Sequence, residues 1–203
     1  MNRLTPVVKN LIILNVGIFL LQGLMPQEVE RSLMLYDFRY EGFMPFQLFT
    51  HFFLHGGFMH LFFNMLWLFF MGPIIEQCIG EKKFIILYLV CGIGAGVLQN
   101  LSYIYDSPDF AVQIPSLGAS GAVAGVMIAT ALKMPNMEIV IFPLPMPIKM
   151  KYFVMFYAGK ELLSGLNGAD TGVAHFAHLG GMIFGAILIL LWDQMDKGKT
   201  QWQ

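Results

Sequence analysis

Ser120 and His178 are the two residues whose types could perform nucleophilic catalysis, and both lie in apolar sequence. Ser120 belongs to the motif GASG, residues 118–121, which begins a run to Leu132 without a charged residue. A serine hydroxyl becomes a nucleophile when a base takes its proton, and an imidazole is the usual base. The pair therefore predicts acyl-transfer chemistry through a Ser-His dyad.

Glycines surround the serine and would leave its oxygen accessible. Gly118, Gly121 and Gly125 carry no side chain, so a second helix and a substrate backbone could approach Ser120 closely. The same pattern also fits a GxxxG-like packing surface on which the hydroxyl merely bonds to its own backbone. This stretch alone does not separate the two interpretations.

The composition places these residues in a membrane protein. Of 203 residues, 57% are hydrophobic and 12% are charged, and the mean hydropathy is +0.65. These values lie outside the range of soluble globular domains. A net charge of −1 without a basic block excludes a nucleic-acid partner. Because no repeat or linker divides the chain, residues 1–203 are predicted to form one domain, in which Cys78 and Cys91 pack without pairing.

Six charge-poor runs predict an all-α bundle of six transmembrane helices. They cover residues 7–25, 57–75, 84–105, 116–132, 148–166 and 171–192. Residues 26–56 would form a long outer loop between the first two helices, either folded partly into the outer leaflet or acting as an ordinary connection. The first run lacks a convincing cleavage site and is interpreted as a retained signal anchor.

The distribution of Lys and Arg predicts the orientation of the bundle. With six spans both termini share one side, which carries nine of these residues, and the opposite side carries Arg31, Arg39 and Lys160. By the positive-inside rule both termini are cytoplasmic. The second, fourth and sixth spans then run from the outer face to the inner one.

Helix rise places four polar side chains at one depth. At about 1.5 Å per residue, Ser120 lies about 20 Å above Lys133, and His178 lies about 12 Å below Asp170. The layer comprises Ser120 and His178 together with His60 and Asn64, which are one helical turn apart in the second span. Polar groups in hydrocarbon face one another or a wet cavity. The sequence therefore predicts a site about 10 Å below the outer face.

The same layer would supply an oxyanion hole. Its donors would be the Ser120 N–H at a helix N-terminus and the side chains of His60 and Asn64. No carboxylate is expected at this depth, because Asp170 lies about 12 Å above His178. A dyad is therefore predicted rather than a triad.

The other histidines have structural roles in this interpretation. His51 and His55 would cap the outer loop, and His175 would face solvent or bond to the loop. Alternatively, the five histidines could ligate a metal or haem in a non-catalytic binding or transport protein. That alternative gives Ser120 no role and finds no carboxylate or cysteine at the matching depth. We therefore predict no metal and no cofactor.

Three motifs together resemble the rhomboid family of intramembrane serine proteases. They are HGGFMHLFFN at 55–64, GASG at 118–121, and AHLGG at 177–181 followed by Gly185. The resemblance covers nearly the whole chain, and the joint pattern H-x4-H-x3-N, GxSG and A-H-x-G-G is highly specific. It implies the bacterial type with a six-helix core, located in the plasma (inner) membrane.

The resemblance also implies a role for each motif residue. Ser120 would be the nucleophile and His178 the base; His60, Asn64 and the backbone of Gly118 and Ser120 would form the oxyanion hole; and His55, Gly121, Gly181 and Gly185 would give structural support. Substrates would be single-pass transmembrane proteins, cleaved within the lipid bilayer near the outer end of their helix. An inactive rhomboid-like chaperone of membrane proteins is disfavoured because both Ser120 and His178 are present.

This chain departs from the family pattern at two places. Some bacterial members carry Trp-Arg where this chain has Phe46 and Gln47, and they carry an aromatic residue that stacks on the base where this chain has Ala124. The contact that holds the base in those members is therefore missing at position 124.

The fifth span is predicted to act as a lateral gate for substrate. Pro143, Pro145 and Pro147 precede it, and it carries charged residues near both ends. Such a helix is expected to be weakly anchored, and elements of low local stability are the ones that move.

Overall fold

The computed structural model describes residues 4–141, 146–167 and 174–200, and describes side chains as far as residue 197. Asp170, Pro143 and Pro145, which entered the sequence predictions, lie outside the described residues. The elements are α1 (Pro6–Gln22), α2 (Gln27–Leu33), α3 (Gln47–Thr50), a 3-10 turn (His51–Phe53), α4 (Phe58–Ile79), α5 (Glu81–Asp106), α6 (Ser120–Lys133), β1 (Glu138–Ile139), β2 (Ile148–Lys149), α7 (Met150–Leu166) and α8 (His175–Thr200).

The all-helical character predicted from the sequence is confirmed. Helices dominate the described residues, and β1 and β2 are two-residue strands that pair in antiparallel fashion. Helices α1, α4, α5, α6, α7 and α8 overlap the six predicted runs, and six membrane crossings stay a prediction. Within the described part of the chain, three helices are long and apolar enough to cross a membrane: α4, α5, and α8 over His175–Lys197. The helices α1 and α6 are apolar but shorter.

Helix α6 lies at the centre of the bundle. Ten of its fourteen residues are buried, as expected for a helix that is apolar on all sides. It packs against α4, α5 and α8. At about 1.5 Å per residue it is about 21 Å long, which is shorter than a hydrocarbon core of about 30 Å. It is therefore too short to span such a core by itself.

Glu76 of α4 fixes the start of α1. Its carboxylate accepts hydrogen bonds from the N–H groups of Val7 (3.1 Å) and Val8 (2.8 Å) and from the Thr5 hydroxyl (2.5 Å). These N–H groups have no partner within their own helix, so a carboxylate from a neighbouring helix serves as the cap. The contact ties the first helix to the second long helix of the bundle.

The segment between α1 and α4 contains α2, α3 and the 3-10 turn, and polar contacts fix its shape. Gln47 donates to the carbonyls of Ser32 (3.1 Å) and Gly42 (3.0 Å). The carboxylate of Asp37 accepts from Arg39 (2.7 Å) and from the backbone of Val112 in the α5–α6 connection (2.9 Å). The segment is therefore anchored to the connection that leads into Ser120.

Candidate active site

Ser120 is the first residue of α6 and is presented by an unusual backbone turn. Gly118 has φ +124°, a conformation that side chains rarely adopt. A Cβ at Gly118 would lie 2.5 Å from Cε1 and 2.6 Å from Nε2 of His60. Glycine at this position therefore serves two purposes, because it permits the turn into α6 and leaves room for the His60 ring.

The structure brings Ser120 and His178 together. The Ser120 Oγ lies 2.8 Å from His178 Nε2, a hydrogen bond between α6 and α8. His178 is buried, with 8% of its surface exposed. The two residues come from helices that are separate in sequence, and the sequence predicts their pairing from depth, side-chain chemistry and the family motifs. A hydroxyl bonded to an imidazole nitrogen is the arrangement needed for general-base activation of serine.

The expectation that no carboxylate lies at this depth is wrong. Glu161 of α7 places Oε2 3.0 Å from His178 Nδ1, and the hydroxyl of Tyr157, one turn earlier, lies 3.0 Å from the same nitrogen. The predicted dyad thus has a carboxylate behind its histidine. Helix rise could have revealed this carboxylate from the sequence. Glu161 is five residues, about 8 Å, from the end of α7 at Leu166, which places it close to the predicted depth of His178.

The Glu161 carboxylate contacts three basic side chains. In addition to His178, its Oε2 lies 2.7 Å from His175 Nδ1, and its Oε1 accepts from Lys160 Nζ at 2.9 Å. His175 is buried, with 6% of its surface exposed. The expectation that His175 faces solvent or bonds to the loop is therefore wrong, because it bonds to a carboxylate of α7.

Two of the implied oxyanion donors bond to backbone carbonyls in this structure. The Gly118 N–H donates to the His51 carbonyl (3.0 Å), so it is not available to an incoming oxyanion. The Asn64 amide donates to the His60 carbonyl (2.9 Å) within α4. The Ser120 N–H has no partner within its helix, because the first N–H groups of any helix lack one.

His55 lies beside His60, with ring centroids 5.2 Å apart. Its backbone N–H donates to Gln22 Oε1 (2.9 Å), and its carbonyl accepts from Gln22 Nε2 (3.2 Å). The end of α1 therefore holds the segment that precedes α4. Both ring nitrogens of His55 are buried without a hydrogen-bond partner among the described residues.

Glycines bring α6 and α8 into backbone contact. A Cβ at Gly181 would collide with the carbonyl oxygen of Gly121, and a Cβ at Gly185 would lie 2.8 Å from that of Gly125. On its other side α6 meets α5, where a Cβ at Gly121 would collide with Ala95. This close approach determines how far the helix of Ser120 lies from the helix of His178.

A cavity of about 20 Å³ adjoins the serine. Its lining includes Ser116, Gly118, Ser120 and Ala177. A site of this size holds about one water molecule. The cavity therefore offers space for a water next to the hydroxyl.

The two departures from the family pattern have distinct structural outcomes. Ala124 is buried at the centre of α6, while an aromatic ring from another helix approaches the base, with the centroids of Tyr157 and His178 5.9 Å apart. Phe46 is half exposed, and Gln47 is buried and bonded to the loop backbone as described above. The aromatic neighbour of His178 is thus supplied by α7 rather than by α6.

Comparison with known proteins identifies the family. A model of the Rhomboid domain matches residues 43–193. The chain is 33% identical over 146 residues to Rhomboid protease AarA of Providencia stuartii, which covers 66% of this chain and 51% of the relative. It is 27% identical over 205 residues to RHOMBOID-like protein 12, mitochondrial, of Arabidopsis thaliana, covering 95% of this chain and 59% of the relative.

A third relative is Rhomboid protease GlpG of Yersinia pestis, 27% identical over 154 residues, with 74% of this chain and 49% of the relative covered. The chain therefore spans about half the length of the relatives it matches. The Rhomboid model covers most of the chain, including the segments that carry Ser120, His178 and Glu161. Together with the apolar helices, this match shows that the chain is an integral membrane protein and belongs to the rhomboid family.

Proposed function

We propose that this protein is a serine endopeptidase that hydrolyses peptide bonds of single-pass transmembrane proteins near the outer membrane face. The observation that carries the proposal is the 2.8 Å contact between Ser120 Oγ and His178 Nε2 inside a bundle of apolar helices. The names of the relatives, which are rhomboid proteases, support the same activity.

In the proposed reaction His178 Nε2 accepts the hydroxyl proton as Ser120 Oγ attacks the substrate carbonyl. The same nitrogen then gives the proton to the leaving amine, and an acyl-enzyme remains on Ser120. A water then takes the role of the hydroxyl in a second round, and the adjoining cavity could hold it. No step requires a metal or an organic cofactor.

The negative charge that develops on the carbonyl oxygen needs donors aimed at it. We assign the Ser120 N–H and the side chains of His60 and Asn64 to this role. Gly118 contributes chiefly by leaving space for His60, because its own N–H is donated to His51. One N–H of the Asn64 amide is donated to the His60 carbonyl, and its second N–H would serve the oxyanion.

We further propose six membrane spans with both termini in the cytoplasm, in a bacterial plasma membrane. The nine-to-three distribution of Lys and Arg supports this orientation. A reporter fused after Gln203 should be active only if it functions inside the cell. Activity of a reporter that works only outside the cytoplasm would show that the orientation is the reverse of the one proposed.

The alternative of a metal-binding or haem-binding protein has less support. His175 and His178 both direct Nδ1 at the Glu161 carboxylate, which is hydrogen-bond geometry rather than convergence on a vacant point. Among residues 4–141, 146–167 and 174–197, no group of three potential ligands has metal-site geometry. An inactive membrane-protein binder would not need the Ser120–His178 contact.

The test uses Ser120→Ala, His178→Ala and the double variant with a model transmembrane substrate. Each single change should abolish cleavage, and the double variant should be little worse, because nucleophile and base act as one unit. Ser32→Ala is the matched control, since Ser32 is exposed and its hydroxyl donates to the Val29 carbonyl of its own helix. A fluorophosphonate probe should label the wild type and Ser32→Ala but not Ser120→Ala.

Cleavage by purified Ser120→Ala at the wild-type rate would end the serine-protease assignment. The alternative of a metal site expects the opposite pattern, with a silent Ser120→Ala and a loss of function in His60→Ala or on adding a chelator. Equal melting temperatures of wild type and Ser120→Ala would exclude unfolding as the cause of lost cleavage.

A further inference from the structure

The proposed reaction leaves Glu161 unused, although its carboxylate is one of the most deeply buried charged groups described. Its side chain is 1% exposed, and its Oε2 lies within 3.0 Å of the Nδ1 atoms of both His175 and His178. Burying a carboxylate is costly unless hydrogen bonds and opposite charge compensate. The arrangement must therefore either anchor α7 to α8 or act on the imidazole that touches Ser120.

We propose that Glu161 is the positioning residue of His178, so that three helices supply a Ser-His-Glu relay: α6 the nucleophile, α8 the base and α7 the carboxylate. This inference rests on the proposed protease function. Glu161 does not touch the reacting atoms, since it contacts the Nδ1 side of the ring while Ser120 contacts the Nε2 side.

The tautomer of His178 is the first reason. An ionised carboxylate only accepts hydrogen bonds, so the Nδ1 facing Glu161 must carry the proton. The neutral ring then has an unprotonated Nε2, and that nitrogen lies 2.8 Å from the Ser120 hydroxyl whose proton it must take. Without the carboxylate the opposite tautomer becomes accessible, in which Nε2 already carries a proton and cannot act as a base.

The charge of the ring during reaction is the second reason. When His178 takes the serine proton it becomes an imidazolium surrounded by buried side chains. A carboxylate 3.0 Å away stabilises that cation directly. The Tyr157 hydroxyl, also 3.0 Å from Nδ1, provides a neutral contact but no compensating charge.

The location of Glu161 on α7 links the base to the packing of that helix. Only three of the seventeen residues of α7 are buried, namely Met150, Val154 and Glu161. Tyr157 belongs to the same helix, so both partners of His178 Nδ1 would leave together if α7 moved outward. His178 would then lose its orientation whenever the helix is displaced.

The decisive variants are Glu161→Gln and Glu161→Asp, compared with Lys160→Gln. The amide of Glu161→Gln has the shape of the carboxylate but no charge. An asparagine in place of the aspartate of a Ser-His-Asp triad lowers kcat by about 10⁴-fold. Because Tyr157 remains as a second contact, we expect a smaller loss here, about 10- to 100-fold in kcat, with KM within about two-fold.

Glu161→Asp keeps the charge but draws it back from His178 by about one C–C bond, about 1.5 Å. Its kcat should lie between those of the wild type and Glu161→Gln. Lys160→Gln is the matched control, because Lys160 bonds to the other carboxylate oxygen and its side chain is 53% exposed. Its kcat should stay within about two-fold of the wild type. The rate at which a fluorophosphonate labels Ser120 should fall in the same order as kcat, from wild type and Lys160→Gln through Glu161→Asp to Glu161→Gln. This rate measures activation of the hydroxyl and does not require a membrane substrate to enter.

Three outcomes overturn the inference. Glu161→Gln with wild-type kcat and labelling rate would show that His178 needs no carboxylate. Equal losses in Glu161→Gln and Glu161→Asp, accompanied by equal falls in melting temperature, would assign Glu161 to anchoring α7. If Glu161→Gln does not fold, Glu161→Asp decides, because a wild-type labelling rate with the carboxylate drawn back from His178 would contradict the expected intermediate rate. Absence of cleavage and labelling in the wild type would instead reject the proposed function.

Discussion

The backbone contact between α6 and α8 predicts that Gly181→Ala should damage both stability and chemistry. A Cβ at Gly181 would collide with the carbonyl oxygen and backbone carbon of Gly121. Both partners are main-chain atoms within helices, so no side chain can rotate away. The two helices must therefore separate to accommodate the added methyl group.

The expected change in stability follows from two terms. Overpacking a well-packed interior costs about 1 to 3 kcal/mol, and contact with rigid backbone lies at the upper end. Alanine in place of glycine within a helix returns at most about 1 kcal/mol. We therefore expect Gly181→Ala to lower the free energy of unfolding by about 2 kcal/mol. Because Ser120 and His178 belong to these same two helices, their 2.8 Å contact should also lengthen, and a displacement of about 1 Å can cost about 100-fold in rate.

Two further variants provide comparisons for Gly181→Ala. Gly185→Ala places its Cβ 2.8 Å from the Gly125 carbonyl oxygen, so it should cost about 1 kcal/mol and reduce labelling less. Gly17→Ala in α1 is the control, because nothing lies within 4 Å of its added Cβ. Melting temperature in detergent and the rate of fluorophosphonate labelling measure the two effects. If Gly181→Ala matched Gly17→Ala in both measurements, the close approach of α6 and α8 would not determine the site.

Three more outcomes are expected. Asn64→Ala should lower kcat by about 10²- to 10³-fold, as for other oxyanion donors, while unfolding stays within about 1 kcal/mol of the wild type; unchanged cleavage would remove Asn64 from the site. A cross-link between cysteines placed at Trp67 of α4 and Phe153 of α7, whose rings stack with centroids 5.2 Å apart, should block cleavage of a membrane substrate but not labelling by a small probe; full cleavage would place substrate entry elsewhere. The hydrogen bonds from Arg39 lower the pKa of Asp37 from 3.8 to about 2, so the stability that it contributes is complete above pH 3.8 and is lost as the pH falls toward 2. Asp37→Asn should therefore flatten the acid dependence of the melting temperature in that window, and an equally steep dependence would refute the assignment.

The sequence by itself was sufficient to place the main helices, and it predicts that their polar residues share one depth. Apolar runs predicted where α1, α4, α5, α6, α7 and α8 lie in the chain, although α8 continues eight residues beyond its predicted end at 192. Exclusion of charge over a fixed length is a local property that the sequence shows directly. His60 and Asn64 are one turn apart on α4, and Ser120 begins α6. The joint motifs were sufficient to predict the family, which the Rhomboid match to residues 43–193 confirms.

Only the tertiary structure decided which side chains touch. Depth arithmetic fixes a residue along its helix axis but says nothing about rotation around that axis or about which helices are neighbours. The position of Glu161 behind His178 depends on the rotation of α7 against α8, and the engagement of the Gly118 N–H depends on where the 3-10 turn places the His51 carbonyl. Both contacts join different segments of the chain, and packing at Gly121 and Gly181 sets the distance between α6 and α8, the helices of Ser120 and His178. For that physical reason the sequence predicted a Ser-His pair, whereas only the tertiary structure revealed the carboxylate that contacts the histidine.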